Sequence, residues 1–120
     1  MKKDMKIIND NKRNYCKLVG KQVLNDVKIH CQNTLEHELA KAEACYHLQK
    51  KGLVFYTECQ LLNGGRADIL ILNQGDAFAI EILHTEEEAR FEDKKESYGC
   101  KVYGIRTGSN IFDEVERIVG

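Results

Sequence analysis

The sequence predicts an α/β domain of the α+β kind, a mixed central sheet flanked by helices. Two apolar runs of strand length, residues 65–72 and 77–83, are separated by turn chemistry at Asn73-Gln74-Gly75-Asp76. A helical pattern over residues 34–51 precedes them, and a helix, a strand and a last helix follow. With 120 residues, 42% hydrophobic and 31% charged, the chain reads as one small folded domain with a single core.

Taken in order, residues 1–14 are polar and are expected to be loosely ordered. Residues 15–19 and 23–29 read as a hairpin turned near Gly20, or as one short helix. Residues 1–32 thus form a basic N-terminal extension or small hairpin, and residues 33–120 the main core. The helix over 34–51 takes Asn33 or Thr34 as its cap, with Glu36 closing a capping box from Asn33. Leu35, Leu39, Ala42 and Tyr46 supply its apolar stripe, and Lys50, Lys51 and Gly52 end it.

Residues 53–62 read as a strand turned by Asn63-Gly64-Gly65. Thr85-Glu86-Glu87-Glu88 is a capping box that opens a helix running to about Tyr98. Residues 101–106 form a strand and residues 110–119 an amphipathic helix. The first three strands make an antiparallel meander. The fourth joins beside the third through a right-handed crossover and so runs parallel to it.

The chemistry sits in the two apolar runs. Asp68 lies inside the first and Glu81 inside the second. An ionised carboxylate in a buried strand is costly unless it is paired or binds a metal. Two on neighbouring strands can converge on one hard cation such as Mg2+, which takes oxygen ligands and can activate water. Arg66, two residues before Asp68, shares its strand face and can instead be its ion partner.

The remaining composition sets bounds. Net charge is −1, so nucleic-acid binding needs a local basic surface. Lys12 and Arg13 belong to the basic N-terminal stretch and are candidates for phosphate contacts. The five cysteines are scattered and include no C-x-x-C pair, which favours reduced, partly buried thiols. A zinc site from Cys16, His30 and Cys31 matches no standard finger spacing. No apolar run has the length of a membrane span and no signal-peptide stretch follows Met1, so a cytoplasmic protein without a membrane partner is expected.

Several motifs follow one another: His37, Lys41 and Gly52 around a helix, then Glu58, then Arg66-Ala67-Asp68, then Ile80-Glu81-Ile82 leading to Thr85. In that order the chain resembles the PD-(D/E)xK nuclease superfamily, and within it the nuclease domain of competence protein CoiA-like proteins. The similarity covers residues 33–106. It implies a restriction-endonuclease-like αβββαβ core and a Mg2+- or Mn2+-dependent nuclease acting on nucleic acid, with DNA the first expectation. It further implies Asp68, Glu81 and the Ile82 carbonyl as metal ligands. His37, Lys41 and Arg66 would lie near the phosphate, Glu58 behind the site or paired with Arg66, and a homodimer is implied so that two sites cut two strands.

The chain departs from the pattern at Leu83, where most of the superfamily carries Lys. Lys94 and Lys95 on the following helix are candidates to replace it. Lys94 shares the face of Phe91 and Tyr98, and its stem can run along apolar surface toward the carboxylates. Lys95 is expected to point to solvent. Glu36 and Glu38 are read as surface charge, and His47 and His84 as ordinary surface or packing residues. The loss of the usual Lys leaves a rival reading, a non-catalytic nucleic-acid-binding or assembly module. A third is a cysteine-based zinc regulator.

Overall fold

The β-branched and aromatic runs form β1 (Phe55–Gln60), β2 (Arg66–Ile71) and β3 (Phe78–Leu83), paired as an antiparallel meander. Helix α3 (Glu88–Ser97) carries the chain to β4 (Lys101–Arg106), which runs parallel to β3. The sheet order is β1-β2-β3-β4. Helices α1 (Lys2–Tyr15), α2 (Leu35–Lys50) and α4 (Ile111–Val119) complete an α+β fold. The computed structural model describes residues 2–17, 22–84 and 88–120; the expected turn near Gly20 and the capping box at Thr85 lie outside them.

The sheet is buried on both faces. On one, Ile8 of α1 and Phe91 and Tyr98 of α3 pack with Leu70, Leu72, Ala79 and Leu83. On the other, Ala44 and Leu48 of α2 and Ile111 and Val115 of α4 pack with Ile69, Ile71, Ile80 and Ile82. The free edge of β1 is covered: Asn25 bonds both backbone groups of Phe55, and Cys16 forms a bridge with Leu61. Among the described residues no helix is long and apolar enough to cross a membrane.

Three expectations are corrected. Residues 2–14 are not loose: α1 is helical, and Asn11 docks it by donating to the carbonyls of Leu72 and Gly75 at 2.8 and 2.7 Å. Residues 23–29 form neither strand nor helix. The third concerns α2. Its apolar stripe faces outward, with Leu35 69%, Leu39 60% and Tyr46 60% exposed. The buried face carries Glu38, Lys41, Ala44, Cys45 and Leu48. Thr34 is the cap, accepting from the His37 N–H, so the box from Asn33 to Glu36 does not form.

Candidate active site

Strand alternation sends successive side chains to opposite faces. Between the paired positions Thr57↔Ile69 and Cys59↔Ala67 that rule breaks. Cys59 and Ala67 join the α1/α3 side, although Phe55 and Ile69, an even number of residues away, face α2. Glu58 has φ 50, a left-handed conformation uncommon for a residue with a Cβ. The shift in phase turns Glu58 and Asp68, opposite each other across the ladder, toward α2.

The β2–β3 ladder changes at the same level. Its pairing runs from Ile71↔Phe78 to Ile69↔Ile80. Beyond that point the side chains take over from the backbone. Glu81 Oε2 accepts the Asp68 N–H at 2.8 Å, and Asp68 Oδ2 accepts the Ile82 N–H at 2.8 Å. Each carboxylate thus satisfies a backbone donor of the opposite strand, which lets two acids sit side by side in the sheet.

Helix α3 supplies the countercharge. The Lys94 Nζ donates to Glu81 Oε1 at 2.8 Å. The Tyr98 hydroxyl lies 3.1 Å from the same oxygen and 2.9 Å from the Arg66 carbonyl, so its one proton serves either acceptor. Gly65 admits the Tyr98 ring: a Cβ there would stand 2.8 Å from the Tyr98 Cε1, and φ is +84°. Burial, with the Asp68 charge beside it, raises the Glu81 pKa to about 7 against the opposing pull of Lys94.

Helix α2 closes the other side. His37 Nε2 lies 3.2 Å from Asp68 Oδ2 and Nδ1 lies 3.0 Å from Glu38 Oε1. Burial works against its imidazolium, but the two carboxylates outweigh it and its pKa is raised. Glu38 in turn holds Lys41 at 2.8 Å and accepts from Asn33 and the His30 N–H. Burial opposes the ionised form of Glu38, yet these bonds hold its pKa down at about 2. Lys41, fully buried, also meets Glu58 at 3.2 Å, and Glu58 pairs with Arg66 at 3.1 Å.

A cavity of about 410 Å3 opens over this cluster. Asp68 and Ile82 line it with His37, Arg66, His84, Arg90 and Lys94. Among the described residues, one carboxylate lines it with five basic side chains, a lining suited to an anion such as a phosphodiester. Glu81 lies beneath, fully buried. A larger groove, about 780 Å3 along α1 and Val54, includes neither carboxylate.

The structure thus brings together Asp68, Glu81, Lys94, His37, Arg66 and Ile82, and pairs Glu58 with Arg66. It also corrects several roles. Lys41 has no exposure and cannot meet nucleic acid; it neutralises Glu38 and Glu58. His37 has both ring nitrogens engaged with carboxylates, so it reaches the cavity as the holder of Asp68. Glu38 is buried at 7% exposure and is not surface charge. Lys12 stands 5.7 Å over the Tyr56 ring and Arg13 pairs with Asp10, both outside the cavity lining. Lys95 pairs loosely with Glu92 at 3.6 Å and does not line the cavity.

Sequence reading missed His84 and Arg90, which line the cavity, and Tyr98 as a partner of Glu81. His84 is one step past the Leu83 end of β3, and that position was the available signal. The five cysteines are unpaired, and Cys16 packs on Cys59 with sulfurs 3.5 Å apart, not in a zinc cluster with Cys31, which is exposed.

The resemblance implies a divalent cation here. Asp68 Oδ1 and the Ile82 carbonyl are hard oxygen donors of suitable chemistry. Glu81 does not fit as it stands: Oε1 is engaged by Lys94 and Tyr98, and Oε2 by the Asp68 N–H. Among the described residues no group of three or more His, Cys, Asp or Glu is arranged to hold a metal ion. No family model matches the chain, and no curated protein or solved structure matches it closely enough to count as a relative.

Proposed function

We propose that the chain is a nuclease of restriction-endonuclease-like fold that hydrolyses a phosphodiester of nucleic acid, DNA in the first instance. One observation carries the reading: Asp68 and Glu81 interrupt the β2–β3 ladder side by side, with Lys94 on Glu81, under a cavity rimmed by basic groups. Arg66, Arg90 and His84 draw the phosphate in. Lys94 faces the charge that develops on the phosphoryl oxygens. Asp68 orients the attacking water and takes its proton through Oδ1, since its hydrogen bonds fall on Oδ2, and the leaving oxygen takes a proton from solvent. Glu81 fixes Lys94, and His37 fixes Asp68.

Mg2+ or Mn2+, which the resemblance implies, would supply charge neutralisation and a more nucleophilic water. Unpaired thiols are in keeping with a reducing compartment such as the cytoplasm. A homodimer remains part of the reading and is checked by sedimentation.

A second reading, binding without cleavage, is favoured by Leu83, which is buried against α3 at the usual lysine position. Incubating wild type with labelled single-stranded, duplex and branched DNA and with RNA, in Mg2+, Mn2+ or chelator, separates the two. Cleaved product supports the nuclease. Retarded but intact nucleic acid in every condition supports the binding module.

A further inference from the structure

The bonding of Glu81 conflicts with a simple metal site, and the conflict is specific to this chain. Glu81 is fully buried between strands, and its carboxylate has two outward contacts, Lys94 and Tyr98, both on Oε1. A divalent cation bound by Asp68 and Glu81 needs one of those oxygens at a coordination distance of about 2.0–2.1 Å for Mg2+. An ammonium 2.8 Å from that oxygen would then stand within a few ångströms of the incoming charge. With Leu83 at the family's lysine position, the cation arrives from the helix side and meets the carboxylate directly.

We propose that the Lys94 ammonium is the resident cation of Glu81, and that a divalent cation gains this carboxylate only by displacing it. Lys94 has a route out: its side chain is 32% exposed and lines the cavity, so a turn of the stem frees Glu81 while the amine stays on the cavity wall. A phosphodiester drawn into the cavity is the natural acceptor for the displaced ammonium. The inference rests on the reading of Asp68 and Glu81 as the reacting centre.

The test is a Mn2+ titration of the full chain without nucleic acid, followed by electron paramagnetic resonance of free Mn2+. Lys94→Met removes the charge and keeps an apolar stem; Lys94→Gln keeps a donor to Glu81 and guards against a loss of folding in the first variant. The expected result is weak binding by wild type and at least tenfold tighter binding, with one site, in both variants. Adding Asp68→Asn returns the affinity to the wild-type level, and Lys95→Met leaves it unchanged. Equal or weaker Mn2+ binding by the folded Lys94 variants overturns the proposal. Cleavage is judged separately. A wild type that cleaves, with no tightening in the variants, sinks the displacement and leaves the nuclease; tightening without cleavage by wild type does the reverse.

Discussion

Lys94 Nζ lies 2.8 Å from Oε1 of Glu81, a carboxylate with no solvent exposure. The pair joins α3 to the centre of the sheet. Lys94→Ala is expected to abolish cleavage. It should also cost about 1–3 kcal/mol of stability, because a buried acceptor loses its charged donor. Lys95→Ala should be nearly silent, as checked by cleavage rate and urea unfolding.

Glu81 gives the site a pH signature. Its pKa rises from 4.5 to about 7 on folding, chiefly through burial. The folded state therefore holds this proton more tightly than the unfolded chain. The Glu81 contribution to stability is fully present below the ordinary Glu range and is lost as pH rises through about 7. His37, also raised, loses its contribution in the same direction, above the ordinary 6.5. Glu38, held at about 2, works oppositely and loses its contribution only as pH falls below 4.5. Glu81→Gln should flatten the decline between 4.5 and about 7 in unfolding free energy measured across pH.

Lys41 is a test of structure against surface chemistry. It has no exposure, and its charge is shared by Glu38 and Glu58. Lys41→Met takes the buried cation from two buried carboxylates, leaving Glu38 to His37 and Glu58 to the more exposed Arg66, and is expected to cost about 3–5 kcal/mol in denaturant unfolding. A variant that folds with wild-type stability and merely binds nucleic acid less well would contradict the structural role.

Arg66 and Arg90 belong to the cavity rim. Replacing either by Ala should weaken binding to all nucleic-acid sequences alike. Each loss should lower the slope of log affinity against log salt by about 1, the effect of one phosphate contact. The measurement is fluorescence anisotropy over a salt series. Lys12→Ala and Arg13→Ala should leave the slope unchanged.

Gly104 makes room for the α3 side of the site. A Cβ there would stand 2.6 Å from Leu83 Cδ1 and 3.0 Å from Phe91 Cζ. Gly104→Ala is expected to destabilise by about 1–3 kcal/mol through overpacking, and to loosen the helix that carries Lys94. Thermal unfolding reads the first effect and cleavage rate the second.

The strands and the order of elements were legible because β2 and β3 are apolar on both faces, so that Asp68 and Glu81 stood out. Lys94 was legible from its spacing to Phe91 and Tyr98. Helix α2 was misread for a physical reason. Its apolar residues, Leu35, Leu39 and Tyr46, face out, while Glu38 and Lys41 turn inward to Glu58. A pattern of hydropathy cannot see a buried charge whose partner arrives from a distant strand. Helix α1 was missed because its anchor is Asn11, whose three hydrogen bonds go to the turn at residues 72–77. The roles of His84 and Arg90 depend on where β3 ends and α3 begins, which sequence spacing does not fix.

The central claim is that Asp68, Glu81 and Lys94 form a centre that hydrolyses phosphodiesters. Single-turnover cleavage by wild type and Asp68→Asn, on the same labelled DNA and RNA with Mn2+ and with chelator, tests it most directly. Asp68→Asn keeps an acceptor for the Ile82 N–H and removes the charge facing the cavity. The expected result is cleavage by wild type and a loss of at least about a hundredfold in the variant, with the fold retained. Uncut nucleic acid with wild type in every condition, or equal rates for the two proteins, would contradict it.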